Sequence, residues 1–379
     1  MQIFNSNSNG IKYRMLKEPE SNSTMEGIAL PVDLIRAVAV VLVILLHAAI
    51  EPNRNLTLMS PEGVQLWWTS NIYNSISRTA VPLFVMLTGA LLLQPNKVDE
   101  PLRVFFKKRW NRVGIPVLFW GAIFFAWDFT VKGQAITLTY VLQGVLAGPY
   151  VHFWYVYLLV GLYLITPLLR VLVAHADWRI IRYFLALWFV GTGIIPLLTL
   201  YVNISPQVIW FRDNVFVLTG IVGYFILGAY VAKLRLRSSI LYLALLLSSV
   251  WTIVGTYFLV GTIGEKFSTF FLDASNFSVI IASVALFLIL AAIPNQAIET
   301  KLPRGSRALR VISENSLPLY LFHVIILETL QNGYLGFRIS LTTINPIIEI
   351  PLITAITLLI CLAIIVPLKK LPYVKRIIG

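Results

Sequence analysis

A single cysteine, Cys361, stands among 379 residues. This excludes an intramolecular disulfide, a cysteine-based metal cluster and any mechanism that needs a resolving thiol. Charge is scarce too. Only 12% of the residues are charged, against about 25% in soluble proteins, so most of the chain is not built to face water. Long polar segments are also missing, which leaves no room for an appended soluble domain. The first 27 residues are rich in Asn and Ser and hold no apolar core. They form neither a signal peptide nor a span, and the expectation is a disordered cytoplasmic tail (1–27) ahead of one transmembrane domain (28–379). No repeat relates the two halves of the chain, whereas many secondary transporters carry one.

What is present is apolar sequence, 58% hydrophobic with a mean hydropathy of +0.80. Runs long enough to cross a bilayer, about 17–25 residues, recur at 32–51, 76–94, 113–131, 153–173, 180–201, 214–233, 239–260, 276–293, 315–332 and 346–367. The fold class is therefore all-α, a polytopic membrane protein of about ten helices. With both termini placed in the cytoplasm, 23 of the 30 Lys and Arg residues fall on inner segments and six on outer ones, as the positive-inside rule requires. The net charge of +13 thus has an explanation in membrane topology, and no nucleic-acid partner is implied. A multi-pass protein of the plasma or inner membrane, in contact with lipid, is expected; the oligomeric state is not readable.

Chemistry enters where charge interrupts these runs. In "VDLIRAVAVVLVILLHAAIEPN" (32–53), Arg36 and His47 are eleven residues apart. At 100° and 1.5 Å per residue they share one helix face, about 16 Å apart along the axis. A central Arg costs roughly 2.5–3.5 kcal/mol on insertion scales, so this face must line a protein-enclosed cavity. Asp33 is spaced to pair with Arg36, and Glu51 with His47. A carboxylate one turn from an imidazole is the arrangement that orients a general base. Snorkelling to the two headgroup layers would account for either residue alone, but less well for both on one face.

A second cluster, "FFKKRWNRVGIP" (105–116), gathers Lys107, Lys108, Arg109 and Arg112. Two guanidinium forks one turn apart suit a phosphate or pyrophosphate. Such clusters also serve as positive-inside anchors for lipid headgroups. His152 lies at the expected outer mouth of the fourth span, beside Trp154 and near Tyr157. His323 lies about 10 Å up the ninth span, with the intramembrane carboxylate of Glu328 above it. Arg78 opens the outer end of the second span. The expected contacts to an acceptor are Arg78, His152, Trp154, Tyr157 and Glu328.

Taken in order, these stretches resemble the acyltransferase type 3 family. The marks are Arg36-x(10)-His47, Arg109-x-x-Arg112, "VPLFVMLTG" (81–89), the His152, Trp154, Tyr163 and Pro167 stretch, and "SLPLYLFH" ending in His323. Thr88 stands where the family usually has serine. The resemblance implies an integral membrane enzyme that moves an acyl group, usually acetyl, from acyl-CoA to a hydroxyl of a sugar or other cell-surface or lipid-linked molecule, surface polysaccharide included. Acyl-CoA would then be a co-substrate, with no metal. Its phosphates would meet Lys107, Lys108, Arg109 and Arg112 at the inner face, with Arg36 deeper. His47 would be general base or acyl carrier, oriented by Glu51, and His323 a second catalytic candidate. A transporter or flippase using Arg36, His47 and Glu328 as a substrate or proton path is the alternative.

Overall fold

In lipid a backbone must satisfy its own hydrogen bonds, and each apolar run becomes helix. The structure is a computed structural model, and it describes residues 30–50, 61–198, 220–231, 234, 236–264, 268–334, 336–339 and 345–379. The N-terminal tail and Glu51 lie outside the described residues. The helices that matter here are α1 (Val32–Ile50), α2 (Pro61–Ser77), α3 (Ala80–Leu92), α4 (Leu102–Arg109), α5 (Ile115–Thr130), α6 (Leu138–Ala147), α7 (Trp154–His175), α8 (Trp178–Trp188), α9 (Gly220–Val231), α10 (Ser238–Ile263), α11 (Phe277–Ala291), α12 (Pro303–Glu314), α13 (Ser316–Asn332), α14 (Pro346–Leu368) and α15 (Pro372–Ile378).

Among the described residues, eight helical segments are long and apolar enough to cross a membrane. They overlap eight of the ten expected spans, although the second begins at Gly63 and the third at Leu102, each more than ten residues before the expected start. The ninth, 315–332, is α13, joined to α12 through a 79° bend. The sixth, 214–233, is described only from Gly220, as the 12 residues of α9. The chain is thus an all-α polytopic membrane protein. Exposed leucines such as Leu164, Leu168, Leu246 and Leu247 give α7 and α10 the apolar outer faces that lipid requires.

The first span is enclosed by protein. Helix α1 packs against α2, α3, α12, α13 and α14, and Arg36 and His47 are each partly buried among them. Helices α3 and α9 cross at two glycines. A Cβ on Gly89 would stand 1.8 Å from the Phe225 carbonyl oxygen, and one on Gly228 would stand 2.0 Å from that of Met86. Small residues let membrane helices approach this closely. Between α4 and α5 the helix widens into a π turn, Trp110–Gly114, a feature frequent at functional sites. Buried Arg170 pins α7 to the end of α3: Nε donates to the Leu92 carbonyl (2.8 Å) and Nη1 to Glu100 (3.0 Å). Helix α15 folds back on α5, where the Trp120 indole donates to the Ile378 carbonyl at 3.2 Å.

Candidate active site

Three imidazoles from three distant stretches meet inside the bundle. The ring centroids of His47 and His323 are 4.8 Å apart, those of His152 and His323 5.5 Å, and those of His47 and His152 6.2 Å. Each ring is oriented by a main-chain carbonyl. His47 Nδ1 donates to Val43 (2.9 Å), His323 Nδ1 to Tyr320 (2.8 Å), and His152 Nε2 to Leu321 (3.3 Å). A carbonyl only accepts, so these contacts put the proton on the bonded nitrogen and leave the other with a lone pair. In His152 and His323 that second nitrogen is buried without a partner. Those two rings are sealed, whereas His47 keeps accessible surface. Two imidazolium charges 4.8 Å apart would repel by about 3.5 kcal/mol at an effective dielectric of about 20. The trio is therefore suited to handling one proton at a time.

A cavity of about 310 Å³ opens at the basic end of the bundle. Its mouth carries Arg36, Lys97, Arg109 and Arg112, and its walls include Thr88 and Tyr163. Arg109 stacks over Phe105 and Tyr163, at 5.5 and 5.6 Å from the ring centroids. Its Nε is buried and has no hydrogen-bond partner, an unmet donor of the kind an anion would satisfy. Lys97 Nζ donates to the Leu91 carbonyl at 2.5 Å. Burial, and next the nearby Arg170, pull the Lys97 ammonium below its ordinary value.

The cavity and the histidines are joined by two tyrosines. Tyr155 and Tyr320 line the cavity with ring centroids 5.2 Å apart. The Tyr320 ring then lies 5.8 Å from His152 and 6.0 Å from His323, and its hydroxyl donates to the His152 carbonyl. Arg36 is held at the cavity mouth by a tertiary partner. Its Nη1 donates to Ser313 Oγ (3.3 Å), and Ser313 in turn donates to Asp33 Oδ1 (2.7 Å). The expected direct Asp33–Arg36 pair is thus replaced by a bridge through buried Ser313. The bend between α12 and α13 brings that hydroxyl to the first turn of α1.

Other expected site residues lie apart. Lys107 and Lys108 are exposed and do not line the cavity; Lys108 Nζ is paired with Glu100 at 2.6 Å. That contact is the main reason the Glu100 carboxyl lies below its usual range. Trp154 is exposed, and the Tyr157 hydroxyl donates to the Val145 carbonyl at 2.6 Å. Glu328 belongs to a separate ionic cluster at the opposite end, paired with Lys132 (2.9 Å) and accepting from Tyr150 (2.5 Å) and Trp127 (3.2 Å). It lines neither of two cavities that are lined by Arg36. Arg78 donates to Asn74 Oδ1 at 2.8 Å, within electrostatic range of His47 and Asp273. Among the described residues, no three His, Cys, Asp or Glu side chains are placed to hold a metal ion.

A family model described as "Acyltransferase domain" matches residues 31–366. The chain belongs to the acyltransferase type 3 family. It is an enzyme that transfers acyl groups, embedded in a membrane by many helices. No curated protein and no solved structure matches it. Within this acyltransferase, sequence reasoning found the histidines and the Arg109–Arg112 pair but passed over Tyr155, Tyr320, Lys97 and Ser313. Tyr155 and Tyr320 adjoin residues already singled out, His152 and His323. Ser313 carried no signal, since nothing in its own helix marks a bond to α1.

Proposed function

We propose that this acyltransferase moves an acyl group, acetyl in the first instance, from cytoplasmic acyl-CoA to a hydroxyl of a sugar or other cell-surface or lipid-linked acceptor in the plasma or inner membrane. The observation that carries the reading is His47: an imidazole with accessible surface, grouped with two sealed ones that the Tyr320 ring separates from a basic cavity. The orphaned donor of Arg109 and the cations beside it fit the phosphates of the acyl donor. Arg36, held by Ser313, is one of those cations. The Lys and Arg distribution supports a cytoplasmic position for the basic end and for both termini.

In this reading His47 Nε2 takes the acceptor's hydroxyl proton while the oxygen bonds to the thioester carbonyl carbon. The carbon–sulfur bond breaks, and the proton passes from the imidazolium to the departing thiolate. His152 and His323 keep the His47 ring in place and share its proton.

The test is to incubate the purified protein in neutral nanodiscs with acetyl-CoA labelled in the acyl group. Saturable thiol release, slow with water and faster with a hydroxyl acceptor, is expected. Label retained on the protein would make His47 an acyl carrier. Absence of both binding and thiol release would overturn the reading.

A further inference from the structure

A second cavity, of about 580 Å³, adjoins the first and shares Arg36 and Arg112 with it. Beyond that shared edge its wall is supplied by the α12–α13 junction on one side and by the end of α14 and α15 on the other, the latter through Lys369, Lys370 and Lys375. These five cations face one side-chain carboxylate, that of Glu314. The lysines are positioned by tertiary contacts. Lys369 Nζ donates to the Glu314 carbonyl at 3.0 Å, which leaves two of its three donors for another partner. Lys375 is carried on α15, which is docked on α5 by the Trp120–Ile378 bond and on the preceding π turn by Arg376 Nη2 donating to Asn111 Oδ1 at 3.4 Å. Burial first, opposed by Glu314 and then aided by Lys375 and Arg112, draws the Lys369 ammonium below its ordinary value. Cations held together in this way, outnumbering the carboxylates among the described residues of the wall, are relieved by a multiply charged anion.

Resting on the acyl-CoA reading above, we propose that this second cavity is a phosphomonoester subsite for the donor's nucleotide. Lys369, Lys370 and Lys375 hold its 3′-phosphate, while Arg36 and Arg112 on the shared edge face its pyrophosphate. The acyl arm then enters the first cavity toward His47. This assigns the nucleotide to the C-terminal lysines rather than to Lys107 and Lys108, which face away. An anionic lipid headgroup offers similar chemistry, so the test must separate the two sources.

The experiment compares the affinity of CoA and 3′-dephospho-CoA for the full-length protein in phosphatidylcholine nanodiscs. Wild type should prefer CoA on the order of tenfold or more, since hydrogen bonds between charged partners are among the stronger ones. The variant Lys369→Gln/Lys370→Gln/Lys375→Gln should lose that preference while binding 3′-dephospho-CoA like wild type, which also reports that it is folded. A preference that survives the substitutions overturns the subsite but leaves the acyl-CoA reading intact. No binding of either nucleotide by wild type overturns that reading and the subsite with it. Repeating the titration in phosphatidate-containing discs separates the lipid. If the lysine variant loses phosphatidate retention but shows wild-type preference for CoA, the site belongs to a headgroup.

Discussion

Lys132, at one end of the bundle, is enclosed by two carboxylates, Asp128 at 3.5 Å and Glu328 at 2.9 Å, and also donates to the Tyr150 hydroxyl. Tyr140 completes the cluster by donating to Asp128 at 2.5 Å, and its own hydroxyl is pushed up to about 12, by burial first and then by Asp128. At the other end, Arg109 keeps a buried donor with no partner, and Arg36, Lys97 and Arg112 join it around a cavity whose wall, among the described residues, holds no carboxylate. The two ends differ in what they leave unsatisfied. A cluster whose charges are paired and hydrogen-bonded within the protein closes a bundle and holds its helices together. Uncompensated cations around a cavity are costly unless an anion arrives, and that imbalance is what supports the proposed donor side at the basic end. Even adjacent residues divide along this line: Lys108 is paired with Glu100, while Arg109 faces the cavity.

The strongest way to break the comparison is at the point where the cavity leads. His47→Gln keeps a hydrogen-bonding side chain but cannot cycle a proton, so thiol release and transfer should fall by about 10²–10⁴. Donor affinity should hold, because the cations are untouched. Near-normal turnover in a folded variant would reduce the trio to packing. Next comes the mouth. Replacing Arg109 and Arg112 together with Ala should weaken CoA binding by tenfold or more, at about 1.5–3 kcal/mol per hydrogen bond to a charged group. A pantetheine thioester lacking the nucleotide should show little loss; equal losses for both donors would remove the pair from the phosphate site.

Smaller effects sharpen the contrast. Ser313→Ala removes the hydroxyl that bridges Arg36 and Asp33, at a cost of about 1–3 kcal/mol. It should raise KM for the donor severalfold with little change in kcat, a split that a purely structural serine would not produce. At the opposite end, Glu328→Gln should lower stability by about 1 kcal/mol, as a partly exposed ion pair does when broken. A thermal melt should register it while CoA affinity stays unchanged. A loss of CoA affinity there would show that the two ends are not independent.

The helical period places Arg36 and His47 on one face of α1, and Arg109 and Arg112 one turn apart, without any tertiary information. Hydropathy likewise marks where the helices run, since a bilayer of fixed thickness sets the length of each apolar run. What period and hydropathy leave open is which helix face turns inward. In a soluble protein the apolar face is the buried one; in lipid both faces are apolar, and the pattern no longer distinguishes them. Tyr155 and Tyr157 illustrate this. They lie two positions apart on α7, and only packing makes Tyr155 a cavity wall and leaves Tyr157 exposed. The same holds for the partners of α1. Ser313 reaches Arg36 from 277 residues away, and His152 and His323 reach His47 from separate helical segments. Spacing along one helix is a local property and is written in the sequence; convergence between helices depends on how the bundle closes, which only the tertiary structure decides.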